Sequence, residues 1–307
     1  MHGQRGHDCG GGCFAPPVGT ARATACCGRA LAARPAVPAV SGRPRWGQNF
    51  LVDRGVAREI VEWAEVDGRE VVEVGAGRGI LTELIAERCA RLVAIEIDRR
   101  LAGALRQRFA DQPHVSVLAA DALALDYREL VGEGAVAVGN LPYESGTAIV
   151  RRLLEAGVRF RHVVVMLQRE VCARIAAKPG TRAWGALAVH VQMVADVELG
   201  RRVGPGCFRP RPQVESQLVR LRPLRTMRHE VGERAIFEEL VRAAFSSRRK
   251  MVRNSLGRWL EARLGGERAL RLLEEAGVDE RARPAELGLV ELAALARAAS
   301  RELSGNA

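Results

Sequence analysis

The sequence lacks any apolar run approaching the roughly 20 residues that a membrane-spanning helix needs, which argues against an integral membrane protein. It has no GxxxxGKS/T phosphate loop, no HExxH and no GxSxG, so the usual signatures of P-loop nucleotidases, zinc hydrolases and serine hydrolases are missing. Its six histidines are isolated from one another. Lysine is almost absent: of 47 basic residues only Lys178 and Lys250 are lysine. A GC-rich genome explains that choice of arginine. It does not explain the excess of base over 36 acids, a formal net charge of +11, which points to a polyanionic partner such as nucleic acid.

Cysteine is sparse and unevenly placed. Cys9, Cys13, Cys26 and Cys27 fall in the first 27 residues, while Cys89, Cys172 and Cys207 are scattered. With His2 and His7 nearby, the first four could ligate zinc, but adjacent cysteines and loose spacing are a poor match to a zinc site. Residues 1–41 are rich in Gly, Ala, Pro and Arg and show no period, so a disordered extension without metal is expected there. Acid-poor composition would suit a transit peptide, yet the amphipathic pattern and the secretory apolar core are both missing, and a cytoplasmic setting with reduced cysteines is expected.

What is present begins near Trp46. Val56, Ile60, Val61, Trp63 and Ala64 share a helical period, with Asp53 placed to cap the helix. Strands are expected at 70–74, 91–98, 114–119, 135–139 and 162–167, with helices at 80–88, 99–110 and 145–156. This β-α alternation requires a parallel sheet with helices on both faces, and in such sheets ligands bind beyond the carboxyl ends of the strands. Residues 73–79, Glu96, Asp121 and Asn140 all fall at those ends. From about residue 226 the pattern turns purely helical, giving an expected division into a catalytic unit at 42–225 and a small all-α unit at 226–307. The early part of that second unit carries Arg248, Arg249, Lys250 and Arg253 with no acid between 240 and 260, a composition suited to phosphate contact.

The stretch VEVGAGRGIL places Gly75, Gly77 and Gly79 between a strand and a helix. The spacing is G-x-G-x-G rather than the dinucleotide fingerprint, and it suits S-adenosylmethionine, which carries no phosphate. Glu96 can accept from both ribose hydroxyls, a role it could equally play for a nicotinamide dinucleotide. Asp121 can accept from an adenine amine. The next strand stops at Asn140-Leu141-Pro142-Tyr143. Two carbonyl acceptors, from the Asn140 side chain and the Leu141 backbone, can hold the two hydrogens of an adenine N6 and direct its lone pair at a methyl donor. Pro142 stiffens the turn, and Tyr143 can stack on the base.

These stretches, together with GQNFLVD (47–53), MLQREVCARIAAKPGTRAWGAL (166–187), CFRPRPQVES (207–216) and FSSRRKMVRNSL (245–256), resemble the ribosomal RNA adenine dimethyltransferase family. The resemblance runs from about residue 44 to 300. It implies a Rossmann-like class I S-adenosylmethionine-dependent methyltransferase of α/β class with a small all-α C-terminal domain. It also implies dimethylation of N6 on two neighbouring adenosines near the 3′ end of small-subunit rRNA, by a monomer acting on the ribosomal subunit or its precursor. By resemblance, Asn49 and Leu51 would close over the cofactor, Gly75, Glu96, Asp121 and Asn140 would contact it, and Phe208 would cover the far face of the target adenine. Three departures stand out: Glu144-Ser145 where the family usually has Asn-Ile, Gly75-Ala76-Gly77 where it has Gly-Pro-Gly, and Trp184 where Tyr is usual. An enzyme of the large-subunit branch, a DNA adenine methyltransferase and a non-catalytic RNA-binding factor are the other readings open at this point.

Overall fold

A computed structural model describes residues 49–304. The cysteine- and histidine-bearing segment before residue 28, and the disorder expected over 1–41, lie outside those residues. Among the described residues no cluster of His, Cys, Asp or Glu could hold a metal ion, and no helix is long and apolar enough to cross a membrane.

The chain opens with a two-residue strand β1 (Phe50–Leu51) and helix α1 (Arg54–Trp63). Asp53 caps α1 as expected, its Oδ1 accepting from Gly55 N–H at 2.8 Å and Val56 N–H at 3.0 Å. Then come β2 (Glu70–Val74), α2 (Ile80–Ala86), β3 (Arg91–Glu96), α3 (Arg99–Arg108), β4 (Val115–Ala119), α4 (Tyr127–Leu130), β5 (Ala135–Asn140), α5 (Gly146–Glu155) and β6 (Phe160–Gln168). After helices α6 (Arg169–Ile175) and α7 (Ala186–Val194) the chain adds β7 (Ala195–Val203), β8 (Phe208–Arg209) and β9 (Ser216–Pro223). The seven-stranded sheet runs β4-β3-β2-β5-β6-β9-β7. Its first five strands are parallel, and β9 joins antiparallel between β6 and β7. The small β8 pairs with β1, Leu51 opposite Phe208.

Alternation along the buried strands sorts their side chains between two faces. Val71, Leu92, Val136, Val138 and Val164 join Ile60, Ile85 and Leu105 in one core beneath α1, α2 and α3. Val72, Val93, Ala137, Val163 and Val165 join Leu153, Ile175 and Val219 in the other. Both faces being covered is why these strands read as nearly continuous apolar runs.

A third core holds helices α8 (Arg234–Ser246), α9 (Leu256–Leu264), α10 (Gly266–Glu275) and α11 (Leu289–Ser304) together through Phe237, Leu240, Leu260, Leu272 and Leu295. Trp184, Val189 and Met193 belong to this core, whereas Val191 of the same α7 belongs to the second sheet face. Helix α7 is therefore apolar on two sides and bonds the helical bundle to the sheet.

The order of strands reverses between β2 and β5: the chain winds outward through β3 and β4, then returns to β5. A crevice opens at such a switch point beyond the carboxyl ends. The two strands press closely there. A Cβ on Gly139 would lie 2.6 Å from the Val74 carbonyl oxygen, a backbone atom that cannot step aside. Replacing Gly139 with Ala is expected to destabilise the protein by about 1–3 kcal/mol in urea unfolding, through overpacking, and to depress activity as Asn140 shifts with its strand.

Candidate active site at the strand ends

A cavity of about 290 Å³ occupies this switch point. Its wall is built from the ends of four strands and from β1: Asn49 and Phe50, Gly75 and Gly77, Glu96 and Ile97, Asp121 and Leu123, and the run from Asn140 to Ser145. Asn49, Gly75, Glu96, Asp121 and the run from Asn140 to Tyr143, expected at the site from separate stretches of sequence, thus meet in one place.

The glycines are required by geometry. Gly75, Gly77 and Gly79 have φ of 76°, 56° and 81°, the left-handed region that L side chains rarely adopt. A Cβ at Gly75 would stand 3.2 Å from the Asn140 carbonyl oxygen, and one at Gly77 3.2 Å from the Phe50 ring. The bare backbone is what leaves room for a ligand. Glu96, at the end of β3, is buried, and its two oxygens accept from Gly77 N–H (2.7 Å) and Asp98 N–H (2.9 Å). Burial raises its pKa while those amides pull it down. A carboxylate offers about four lone-pair directions, so two remain for ligand hydroxyls. Asp121 is exposed at the wall, its Oδ1 accepting from Leu123 N–H at 2.9 Å. Glu73, on β2 two residues before Gly75, is wholly enclosed. Burial pushes its carboxyl up to about 7, opposed by Thr82, and its Oε2 has no hydrogen-bond partner.

Asn140 is oriented from outside its own strand. Its Nδ2 donates to the Asn49 backbone carbonyl at 3.1 Å. A carbonyl can only accept, so the nitrogen must face Asn49, and Oδ1 is the end left to accept from a ligand. Leu141 is fixed by its N–H donating to Met166 O at 3.1 Å, and the Pro142 carbonyl accepts from Gly146 N–H at 2.8 Å at the start of α5. The Tyr143 hydroxyl lies 3.2 Å from Ser216 Oγ, which ties the aromatic ring to β9.

Not every expected residue reaches the cavity. Leu51 and Phe208 face each other across the β1–β8 ladder, and both side chains are buried in the first core, Phe208 completely. In this arrangement Phe208 is not among the residues that line the cavity. Being apolar above a core, the pair instead anchors β1, whose neighbours Asn49 and Phe50 do line it. The basic candidates also separate. Arg248 donates to the backbone carbonyls of Arg182 (2.7 Å) and Trp184, fastening α8 to the loop before α7, and Arg253 stands 3.9 Å from Glu280. Arg248 and Arg253 thus have protein partners of their own, Arg253 through a loose pair between two exposed side chains. Arg249 and Lys250 are exposed and have no ion pair among the described residues.

The wall also holds residues the sequence did not single out. Phe50 packs under the Arg78 guanidinium, 4.7 Å from its ring centroid. Ile97 and Leu123 are 41% and 39% exposed, apolar surface left open inside a ligand-sized cavity. An apolar residue one position after Glu96 and two positions after Asp121 was the available signal.

The wall thus contains the carboxylates of Glu96, Asp121 and Glu144 and no Arg, Lys or His. Such a surface suits a cationic, hydroxyl-bearing ligand, which fits S-adenosylmethionine. Comparison with known proteins agrees. A ribosomal RNA small subunit methyltransferase A from Geobacter metallireducens is 42% identical over 267 residues, covering 84% of this chain and 96% of that protein. The protein of the same name from Acidobacterium capsulatum is 40% identical over 272 residues, covering 85% and 93%. Among solved structures, the 23S rRNA methyltransferase ErmE superposes with a TM-score of 0.61 at 28% identity, over 81% of this chain and 99% of that one. A dimethyladenosine transferase from Plasmodium falciparum shares the fold, with a TM-score of 0.70 at 22% identity over 80% and 95%. The model of the family described as ribosomal RNA adenine dimethylase matches residues 39–287, so that the cavity between Gly75 and Asn140 lies wholly within the matched region and the chain belongs to that family.

Proposed function

We propose that this protein transfers methyl groups from S-adenosylmethionine to N6 of two adjacent adenosines near the 3′ end of small-subunit rRNA, as a step in maturation of the small ribosomal subunit. The observation that carries the reading is the Asn140 amide, held by Asn49 through its nitrogen at the wall of a cavity that has acids and no bases.

When bound, the cofactor supplies an electrophilic methyl group. The chain's part is to position and to select. The glycine backbone at Gly75 and Gly77 admits the ligand, Glu96 accepts from its ribose hydroxyls, and Asp121 accepts from its adenine amine. Ile97 and Leu123 cover apolar ring faces. At the acceptor end, Asn140 Oδ1 and the Leu141 carbonyl would accept hydrogen bonds from the two N6 hydrogens of the target adenine. The N6 lone pair, otherwise delocalised into the ring, is thereby turned toward the methyl group. Tyr143 stacks on the base, a contact worth about 1–3 kcal/mol. Holding two reactants in line can lower the barrier by up to roughly 7–11 kcal/mol in ideal cases. Leu51 and Phe208 serve by carrying β1 and hence the Asn49 carbonyl.

The helices beyond residue 226 act, in this reading, as an RNA-holding unit beside the catalytic one, in a monomer working in the cytoplasm. Replacing both Arg249 and Lys250 with Ala is expected to weaken rRNA binding and to reduce the salt slope, log K against log salt, by about 1–2. Filter binding across a salt series reads this, and an unchanged slope would remove both residues from the interface.

Methyl-labelled cofactor offered with unmethylated small subunits, large-subunit rRNA and DNA, with stops mapped by reverse transcription, tests the reaction itself. Dimethylation blocks the Watson–Crick edge, so paired stops near the 3′ end of the small-subunit rRNA are expected. Label in large-subunit rRNA would assign the activity to the other branch, and absence of label in every acceptor would refute methyl transfer.

A further inference from the structure

We infer that Glu144 makes the cavity charge-selective, favouring the cationic cofactor over its neutral product and so clearing the site between successive methyl transfers. The inference rests on the dimethylase reading above.

Glu144 is one of three carboxylates on a cavity wall that holds no cation, in a chain of net charge +11. The other two are engaged. Glu96 is buried, with both oxygens bound by amides, and Asp121 closes a turn on Leu123 N–H. Glu144 is exposed between Tyr143 and the start of α5, and among the described residues nothing hydrogen-bonds or ion-pairs with it. Its charge is therefore set against the cavity without a neutralising partner. It is also where this chain departs from the Asn that its family resemblance leads one to expect.

The chemistry of the ligand decides what such a charge does. S-adenosylmethionine carries a sulfonium, an ammonium and a carboxylate, for a net charge of +1. Loss of the methyl group leaves a thioether, and S-adenosylhomocysteine is neutral overall. The two are otherwise the same molecule. A carboxylate at the cavity wall enters the difference between their affinities only through the sulfonium, and its sign favours the cation. Two methyl groups on each of two adenosines require the product to be exchanged for fresh cofactor repeatedly. A site that holds the cation better than the thioether shortens each exchange.

Calorimetric titration without RNA tests this directly. The wild-type protein and its Glu144→Gln and Glu144→Asp variants would each be titrated with S-adenosylmethionine and with S-adenosylhomocysteine, at low and high salt. Glu144 has no partner to lose, so the variants keep the fold. The ratio of the product's Kd to the cofactor's is expected to fall roughly three- to tenfold in the Gln variant and to be largely kept in the Asp variant. Salt should shrink the wild-type ratio and leave that of the Gln variant nearly unchanged. An equal ratio in wild type and Gln variant would overturn the inference while leaving the dimethylase reading intact. Failure of the wild-type protein to bind either ligand would overturn both.

Discussion

Replacing Asn140 with Ala is expected to lower the rate of methyl transfer by about 10²–10³-fold while leaving rRNA affinity within about twofold, the range found when one preorganised hydrogen-bonding group is removed from a reacting centre. The Asn49 carbonyl holds the amide nitrogen, so the oxygen is in place before any acceptor arrives. No reorganisation is needed as the base enters, and that preorganisation is what the substitution destroys. The backbone carbonyl of Leu141 survives, so one of the two N6 hydrogens still has an acceptor and the loss is not total. Single-turnover kinetics with saturating cofactor reads the chemical step. A variant as fast as wild type would take Asn140 out of the mechanism.

The second large effect falls on stability. Trp184 is completely buried in the third core and donates its indole N–H to Leu287 O at 2.9 Å. Its own backbone carbonyl accepts from Arg248. Trp184→Ala opens a large cavity and orphans the Leu287 carbonyl, and is expected to cost about 3–5 kcal/mol in urea unfolding. Because Trp184 precedes α7, which packs on both the sheet and the bundle, the loss should be felt in the hold of the helical unit and hence in rRNA binding. A midpoint within error of wild type would show that the bundle does not depend on this contact.

Much of this was legible in the chain before any coordinates. The strand at 70–74 is found at Glu70–Val74, and the helices at 80–88 and 99–110 are found slightly shorter, at Ile80–Ala86 and Arg99–Arg108. Buried strands and one-sided helices impose strong periods, so they can be read locally. Strands β7 and β9 and helix α7 could not. β7 reads ADVELGRRV, with four charges and a glycine, because it lies at the sheet edge, half in water. β9 carries Arg220 in a nominally apolar strand, and that arginine is stabilised only in three dimensions, over the Trp63 ring at 4.6 Å and by the Trp63 carbonyl. Helix α7, ALAVHVQMV, is apolar on two sides and so has no polar face to mark its period.

The site divides the same way. Gly75, Glu96, Asp121 and Asn140 were legible because each lies at or just past the end of a strand in a parallel sheet. The support of Asn140 by Asn49 spans 91 residues and leaves no local trace. Phe208 drew notice only through the family resemblance, and its burial in the first core through the β1–β8 ladder has no local trace. Arg248 reads as one of a basic cluster, and only the folded loop at 182–184 shows it engaged with carbonyls.

Direct photolabelling would test the central claim, that cofactor and target base meet at the switch point between β2 and β5. The protein would be irradiated with S-adenosylmethionine labelled in its methyl group, digested, and its labelled peptides identified, with unlabelled S-adenosylhomocysteine as competitor. Label is expected in peptides containing Asn49–Phe50, Gly75–Gly79, Glu96–Ile97 or Asn140–Ser145, and should be lost on competition. Label confined to the helices after residue 226, or unaffected by the competitor, would contradict the account.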